Sequence, residues 1–556
     1  MSGFNTKHFM KAARGNVPAD IVFYNGEIFN PFTCEWENSG FAVKNGVVIG
    51  TGEYHGVQEY DLKGRRVVPG LIDAHVHIES SLLCPHEYAR LVVKHGTTTV
   101  IADPHEIGNV CGSAGLEYIL SEREGLPIDI FVMLPSCVPA TPVDRGGAVL
   151  DASDLSEFKG ISGVLGLAEV MNVPGVLTLD EEVWKKIRMF PLVDGHAPLL
   201  TGNDLNAYIL AGIQSDHECT GAGEALEKLR KGMYIFIREG STEKNLKELV
   251  PIITGPASSR CCFATDDRHV DMLIKDGHID DCVRKAIEYG AEPELAIRMA
   301  TLTPAERFLL SDRGALSPGK IADFCILKKD SVFDVEVTFK SGKYVTDSSY
   351  QQKGFIKKKF LCGVPADQDI AITGTGTARV IGIVPHQILT STLAYDLDGK
   401  DIPDLPRDIL KIVVCSRYLN HSVGCGLVHG FGLKHGALAS SVSHDTHNII
   451  ATGTNDPDIR TAISTVIRGG GGMAAVSGTK VTYLPLECAG LMSVRSYEEV
   501  YALLSELNAH AADMGAIDDP FMYLSFLALT VIPHLRVTDQ GLFDVDSFRH
   551  VPIFNE

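Results

Sequence analysis

The chain has no C-x-x-C pair, no apolar run of about 18 residues, no low-complexity tract and no internal repeat of fixed period. Each absence removes a class of protein. Without C-x-x-C there is neither a zinc ribbon nor a thioredoxin-like redox motif. The 13 cysteines are scattered, the adjacent Cys261 and Cys262 match neither pattern, and reduced thiols in a cytosolic protein are expected. The N-terminal stretch MSGFNTKHFMKAARGNVPADIVF is polar and basic and lacks the apolar core of an export signal, so neither export nor membrane spanning is expected. Apolar residues at 45% and charged residues at 22% point to a folded, soluble chain, not a disordered one. Basic residues are in short supply, 50 against 70 acidic, and the formal charge of -20 repels phosphate backbones and anionic membrane faces. Nucleic acid is therefore excluded as a partner.

What is present is length. At 556 residues the chain exceeds one ordinary core and implies about three units, or a barrel with appendages. Short alternating apolar runs before residue 67 are broken by Asn-Gly at 25–26 and 45–46, which is hairpin chemistry. From Val67 to about Asp312 the rhythm changes to runs such as TTTVIAD, IDIFVML, GVLGLAEV and RCCFATD, separated by segments of helical length. Alternating strands and helices predict an α/β chain built around a (β/α)8 barrel, spanning 68–312. Residues 313–360 return to short strands and are expected to join 1–67 in one small split β-domain. Residues 361–556 mix strands and helices and are expected to form a C-terminal α+β domain.

The stretch PGLIDAHVHIESS places His75 and His77 on one face of a strand end, because residues i and i+2 of a strand point the same way. One metal ion at about 2.0 to 2.2 Å from each nitrogen could be held by both. The pair follows an apolar run, where a barrel strand opens onto the face that carries barrel active sites. Further donors end later runs: Glu169 in GVLGLAEV, His196 in PLVDGHAP, His217 in AGIQSDHECT and Asp266 in CCFATDDRHV. Singly these read as a surface acid, a loop cap, a turn residue and a helix N-cap. Their joint order across successive strands is that of a metal centre.

With that order and the split β-domain, the chain resembles the amidohydrolase superfamily. The stretches HVHIESS, HGTTTVIADPHEIGNV, GLAEVMNVPGV, DGHAPLLTGNDLNAYILAGIQSDHECT and ATDDRH are similar to the bacterial adenine deaminase family within it, as are HGFGLKHGALASSVSHDTHNIIATGTND and RGGGGM. The resemblance spans nearly the whole chain. It implies a TIM-like metallo-barrel with a binuclear divalent site, Mn(II) or Fe(II) with Zn(II) also accommodated. His75 and His77 would hold one ion, His196 and His217 the other, and Glu169 would bridge them. It also implies adenine and water as substrates. Asp266 would touch metal and move protons.

Elementary chemistry agrees: a metal lowers the pKa of bound water from 15.7 toward about 7, a nearby carboxylate takes the proton, and the amine at C6 of adenine is protonated before it leaves as ammonia. A second acid is needed for ring N1. Glu218 is the candidate, although strict alternation turns it away from the metal unless the strand end breaks the pattern. Asp103 and His105 in IADPHEIGNV are read as an extra ligand, as partners that fix a histidine tautomer, or as a structural turn. The cluster His444, Asp445, His447 and Asn448 is read as a further metal site, a polar loop, or the mouth of the barrel enclosing the purine. Gly469 to Gly472 lacks a following G-K-S/T and is read as a turn. The base-flipping zinc deaminases need P-C-x-x-C, which is absent. Two other readings remain open: a barrel cleaving a cyclic amide of dihydropyrimidine or hydantoin type, and a non-catalytic scaffold, which should have lost these ligands. A homodimer or higher homo-oligomer is expected.

Overall fold

Eight short parallel strands, Leu71–Val76, Thr97–Ala102, Asp129–Leu134, Val164–Val170, Val193–Gly195, Ser215–Asp216, Tyr234–Arg238 and Cys261–Ala264, close into a ring. The structure is a computed structural model that describes residues 6–241, 244–346, 352–385, 387–397 and 402–555. The first five strands pair as one run and the last three as another. Backbone bonds close both seams. Gln214 N donates to Val193 O at 3.0 Å between the fifth and sixth strands, and Asp266 N donates to His75 O at 3.1 Å between the eighth and first. The predicted (β/α)8 barrel is present. Its strands read as continuous apolar runs because both faces are buried, one under helices and one in the ring interior. Cys261 and Cys262 show this directly: Cys262 packs inside with Ile72, Ile101, Met133 and Phe236, while Cys261 faces the surrounding helices. Burial pushes the Cys261 thiol up to about 12, and all thirteen cysteines are free.

The flanks meet as expected. Arg66–Pro69 pairs antiparallel with Phe324–Leu327, which joins the N-terminal strands and those after the barrel into one eight-stranded sheet. Phe23, Phe41, Phe324 and Phe339 stack in its core, with ring centroids 5.0 Å apart for the first pair and 4.5 Å for the last. Asn45-Gly46 makes the predicted hairpin between Glu35–Lys44 and Val47–Thr51. Asn25-Gly26 does not. Both neighbours continue the strand Ala19–Asn30, and the dipeptide marks a register shift against its partner, with Asn25 at a φ of 59°. It is a bulge, since an αL residue serves either purpose.

A second eight-stranded sheet, built from strands between Thr377 and Pro485, forms the C-terminal region. The helix Asp456–Gly469 starts at an Asn455 cap and ends at Gly470 in the left-handed region, φ 75°. A Cβ on Gly471 would lie 2.3 Å from the Gly490 Cα, so Gly469 to Gly472 is the tight helix-to-strand turn expected.

One buried ion cluster ties a barrel helix to the site. Lys228, on helix Ala222–Arg230, donates to Asp216 at 2.9 Å, Glu224 at 2.5 Å and the Ala197 carbonyl at 2.7 Å. Asp216 in turn accepts from Ala197 N at 2.8 Å, so the cluster locks the residues following His196 and preceding His217. Replacing Lys228 by Met should destabilise the fold by about 3 to 5 kcal/mol, because two buried carboxylates lose their cation. A denaturant midpoint equal to that of the parent would refute this.

Candidate active site

His75 and His77 project together from the first strand's C-terminal end, with their Nε2 atoms 3.2 Å apart. His77 Nδ1 donates to the Asp103 carbonyl at 2.9 Å, which leaves its Nε2 lone pair aimed at the centre. His75 stacks on His217, ring centroids 4.4 Å apart and 18° from parallel. Glu169 divides its two oxygens between two groups of histidines. Oε1 lies 3.2 Å from His105 Nδ1 and 3.6 Å from His77 Nε2, and Oε2 lies 3.0 Å from His196 Nδ1 and 3.1 Å from His217 Nε2. Burial opposes its charge, yet His105, His196 and His217 hold its carboxyl well below the usual carboxylate range.

Asp266 follows the eighth strand with φ 54°, a left-handed conformation that costs a non-glycine residue about 1 to 3 kcal/mol. Its backbone stitches the barrel seam, and its side chain turns back so that Oδ1 sits 3.2 Å from His77 Nε2 and 3.6 Å from His75 Nε2. Oδ2 accepts from Arg238 at 2.8 Å. Arg238, the last residue of the seventh strand, also grips Glu218 through both guanidinium ends, with Nη2 to Oε2 at 2.8 Å.

Glu218 therefore enters the pocket, 3.5 Å from both His196 Nδ1 and His217 Nε2, against the strict alternation expected of a strand. The sixth strand is only Ser215–Asp216 and has ended before Glu218, so the rule lapses there. Both Glu218 oxygens accept from Arg238. Glu218 is an acceptor here. His105 opens the helix His105–Cys111, and Asp103, between the second strand and that helix, contributes its carbonyl to His77, while its Oδ2 is 3.2 Å from His105 Nδ1.

The C-terminal region supplies the opposite wall. Ile388, His444, Asp445, Phe526 and Leu529 face the histidines across the same cavity, with Met171 beside them. His444 stacks on Phe526 at 4.6 Å and 11°, and its Nδ1 lies 2.5 Å from Glu106 Oε1. His447 reaches the other Glu106 oxygen through Nε2. Ser443 N donates to His447 Nδ1 at 3.2 Å, so Nε2 is the protonated nitrogen and donates to Glu106. Ligand atoms of Glu106, His444 and His447 all lie within 4.8 Å of one another, so the cluster keeps the spacing of the further metal site considered for it. The loop also borders the cavity, through His444 and Asp445.

Arg238 and Glu106 were missed in the sequence. Arg238 ends the apolar run MYIFI, the same signal that found Glu169, and Glu106 adjoins His105. Phe526 and Ile388 carry no signal, being ordinary apolar residues in a distant segment.

Comparison with known proteins decides the family. Residues 66–345 match the amidohydrolase family, and residues 387–549 match the adenine deaminase C-terminal domain. An adenine deaminase of Methanoregula boonei is 59% identical over 98% of this chain and 98% of that protein. One from Methanoculleus marisnigri is 61% identical over 93% of this chain and 100% of that protein, and one from Dehalococcoides mccartyi 45% over 99% of each. The chain belongs to the adenine deaminase family of amidohydrolases.

Membership of the amidohydrolases implies a divalent metal, and the residues present fit one. Ligand atoms of His75, His217 and Asp266, of Glu169, His196 and His217, and of His77, Asp103, His105 and Glu169 each lie within 4.8 Å of one another, nearly all of them buried. His196 turns Nδ1 toward Glu169 and Glu218, at 3.0 and 3.5 Å. Buried donors that face each other without protons to share are arranged for a cation. Among the described residues, no helix of this adenine deaminase family member is long and apolar enough to cross a membrane.

Proposed function

We propose that this chain hydrolyses adenine to hypoxanthine and ammonia, with hypoxanthine passing to purine salvage. What supports the reading most is the near-full-length identity to adenine deaminases, at a site where Glu169 reaches histidines of four barrel strands beneath an aromatic wall. His75 and His77 would hold one ion and His196 and His217 the other, with Glu169 between them and Asp266 touching the first. These nitrogen and oxygen donors suit Mn(II) or Fe(II), and accept Zn(II). When bound, the metal supplies Lewis acidity to the water that adds to C6.

The chain's own residues do the rest. Asp266, its Oδ2 oriented by Arg238, takes the water proton on Oδ1 and returns it to the departing amine. Glu218 accepts a hydrogen bond from the exocyclic amino group, held for that role by Arg238. Phe526, Leu529 and Ile388 cover the planar base and exclude bulk water from the reacting carbon. The acting form we assign is a cytoplasmic homodimer or higher homo-oligomer, since most soluble oligomers close by such symmetry; sedimentation of the purified protein tests it.

The reading is tested by ammonia release from protein loaded with Mn(II) or Fe(II), using adenine, adenosine, guanine, cytosine and dihydrouracil. Rapid release from adenine alone is expected. Hydrolysis of dihydrouracil with no ammonia from adenine would overturn it in favour of cyclic-amide cleavage.

A further inference from the structure

Asp445 comes from the C-terminal region and shares the cavity with the histidines, yet it belongs to none of the ligand groups described above. It is 5% exposed. Its Oδ1 lies 3.7 Å from His105 Nε2, while Oδ2 is buried and accepts no hydrogen bond. A buried carboxylate oxygen without a donor is costly, so a fold that keeps one is explained by a donor that arrives with the ligand.

Of the other carboxylates lining the cavity, Asp267 accepts from Ser80 through Oδ1. Met171, Ile388, Phe526 and Leu529 bring only apolar surface, and Glu218 and Asp266 on the far side are engaged by Arg238. Glu106 Oε1 also lacks a hydrogen bond, but His444 Nδ1 stands 2.5 Å from it and blocks its approach. Asp445 Oδ2 is thus a buried acceptor without a donor, on a residue that lines the C-terminal wall of the cavity.

We infer that Asp445 Oδ2 accepts the imidazole-ring N–H of free adenine, and so sets the preference for the base over its N-substituted forms. The inference rests on the adenine reading above. Free adenine carries that N–H at N9 or N7. A nucleoside, 9-methyladenine and 7-methyladenine all lack it and leave the carboxylate unpaired, which is the strongest way a polar site rejects a near-isostere.

The test is kcat/KM of the metal-loaded, full-length protein and of its Asp445→Asn variant on adenine, 7-methyladenine and 9-methyladenine. The parent should discriminate against both methyladenines. Agreement between the two separates a missing hydrogen bond from a clash at one ring position. Asp445→Asn keeps the volume of the side chain and should lower the ratio of kcat/KM for adenine to that for each methyladenine by about tenfold or more, mainly through KM for adenine. A parent that uses either methyladenine as well as adenine overturns the inference, and this arm requires no variant to fold. Equal slowing of all three substrates in Asp445→Asn also overturns it, leaving Asp445 as loop support. A parent inactive on adenine would instead remove the underlying reading, and is told apart by that control alone.

Discussion

Asp266→Asn is expected to lower kcat on adenine by about 10²- to 10⁴-fold while leaving most of the metal in place. The reason lies in how its two oxygens are used. Oδ2 is tied to Arg238 at 2.8 Å, and Oδ1 stands 3.2 Å from His77 Nε2, beside the centre where the proposed mechanism puts the reacting water. Asparagine retains the shape and one oxygen, so it can still lie against the histidines, but it cannot take up a proton at neutral pH. In the proposed mechanism the loss strikes both halves of the reaction, because the same carboxylate would collect the water proton and deliver it to the amine. Steady-state kinetics with metal analysis of the same preparation checks this. Near-native kcat would remove Asp266 from the mechanism, and metal lost in step with activity would make it a ligand before anything else.

Glu169→Gln should behave differently, with metal content and activity falling together. Glu169 Oε1 serves the His77 and His105 side and Oε2 the His196 and His217 side, at 3.0 to 3.6 Å. A glutamine offers one oxygen and one NH2, so whichever way it turns, an N–H group points at a cation position. The substitution also removes a negative charge from the position where the proposal sets Glu169 between two ions. Partners standing behind metal ligands already cost about 10- to 100-fold in affinity when mutated, and a carboxylate that spans both positions should cost more. Full metal occupancy in Glu169→Gln would count against the bridging role. The two variants form a pair: one should uncouple turnover from metal, and the other should not.

The parts of this protein legible in the sequence are those set by local rules. Strand alternation placed His75 and His77 on one face, and the ends of apolar runs located Glu169, His196, His217 and Asp266, because a parallel barrel strand is buried throughout and becomes polar only where it emerges. Length and rhythm were enough for the barrel. The same rules failed where an element was too short or its partner decided the outcome. The sixth strand stops at Asp216, so alternation had no hold on Glu218, and Asn25-Gly26 became a bulge because the chain on both sides stays paired to one neighbour. Arg238 ends an apolar run as Glu169 does, but its task of neutralising Glu218 and Asp266 is apparent only once the barrel closes.

The wall of Phe526, Leu529, Ile388, His444 and Asp445 belongs wholly to the tertiary structure. His444 and Asp445 stand in a polar cluster that the sequence marks without deciding its role, whereas Phe526, Leu529 and Ile388 carry no mark, and the wall exists because the C-terminal region packs across the barrel mouth and holds Glu106 between His444 and His447. What the sequence determined alone was the chemistry, since metal ligands must be particular residue types at strand ends. What the fold decided was the fit to a substrate, since enclosing a flat base takes surfaces from segments that meet only after folding.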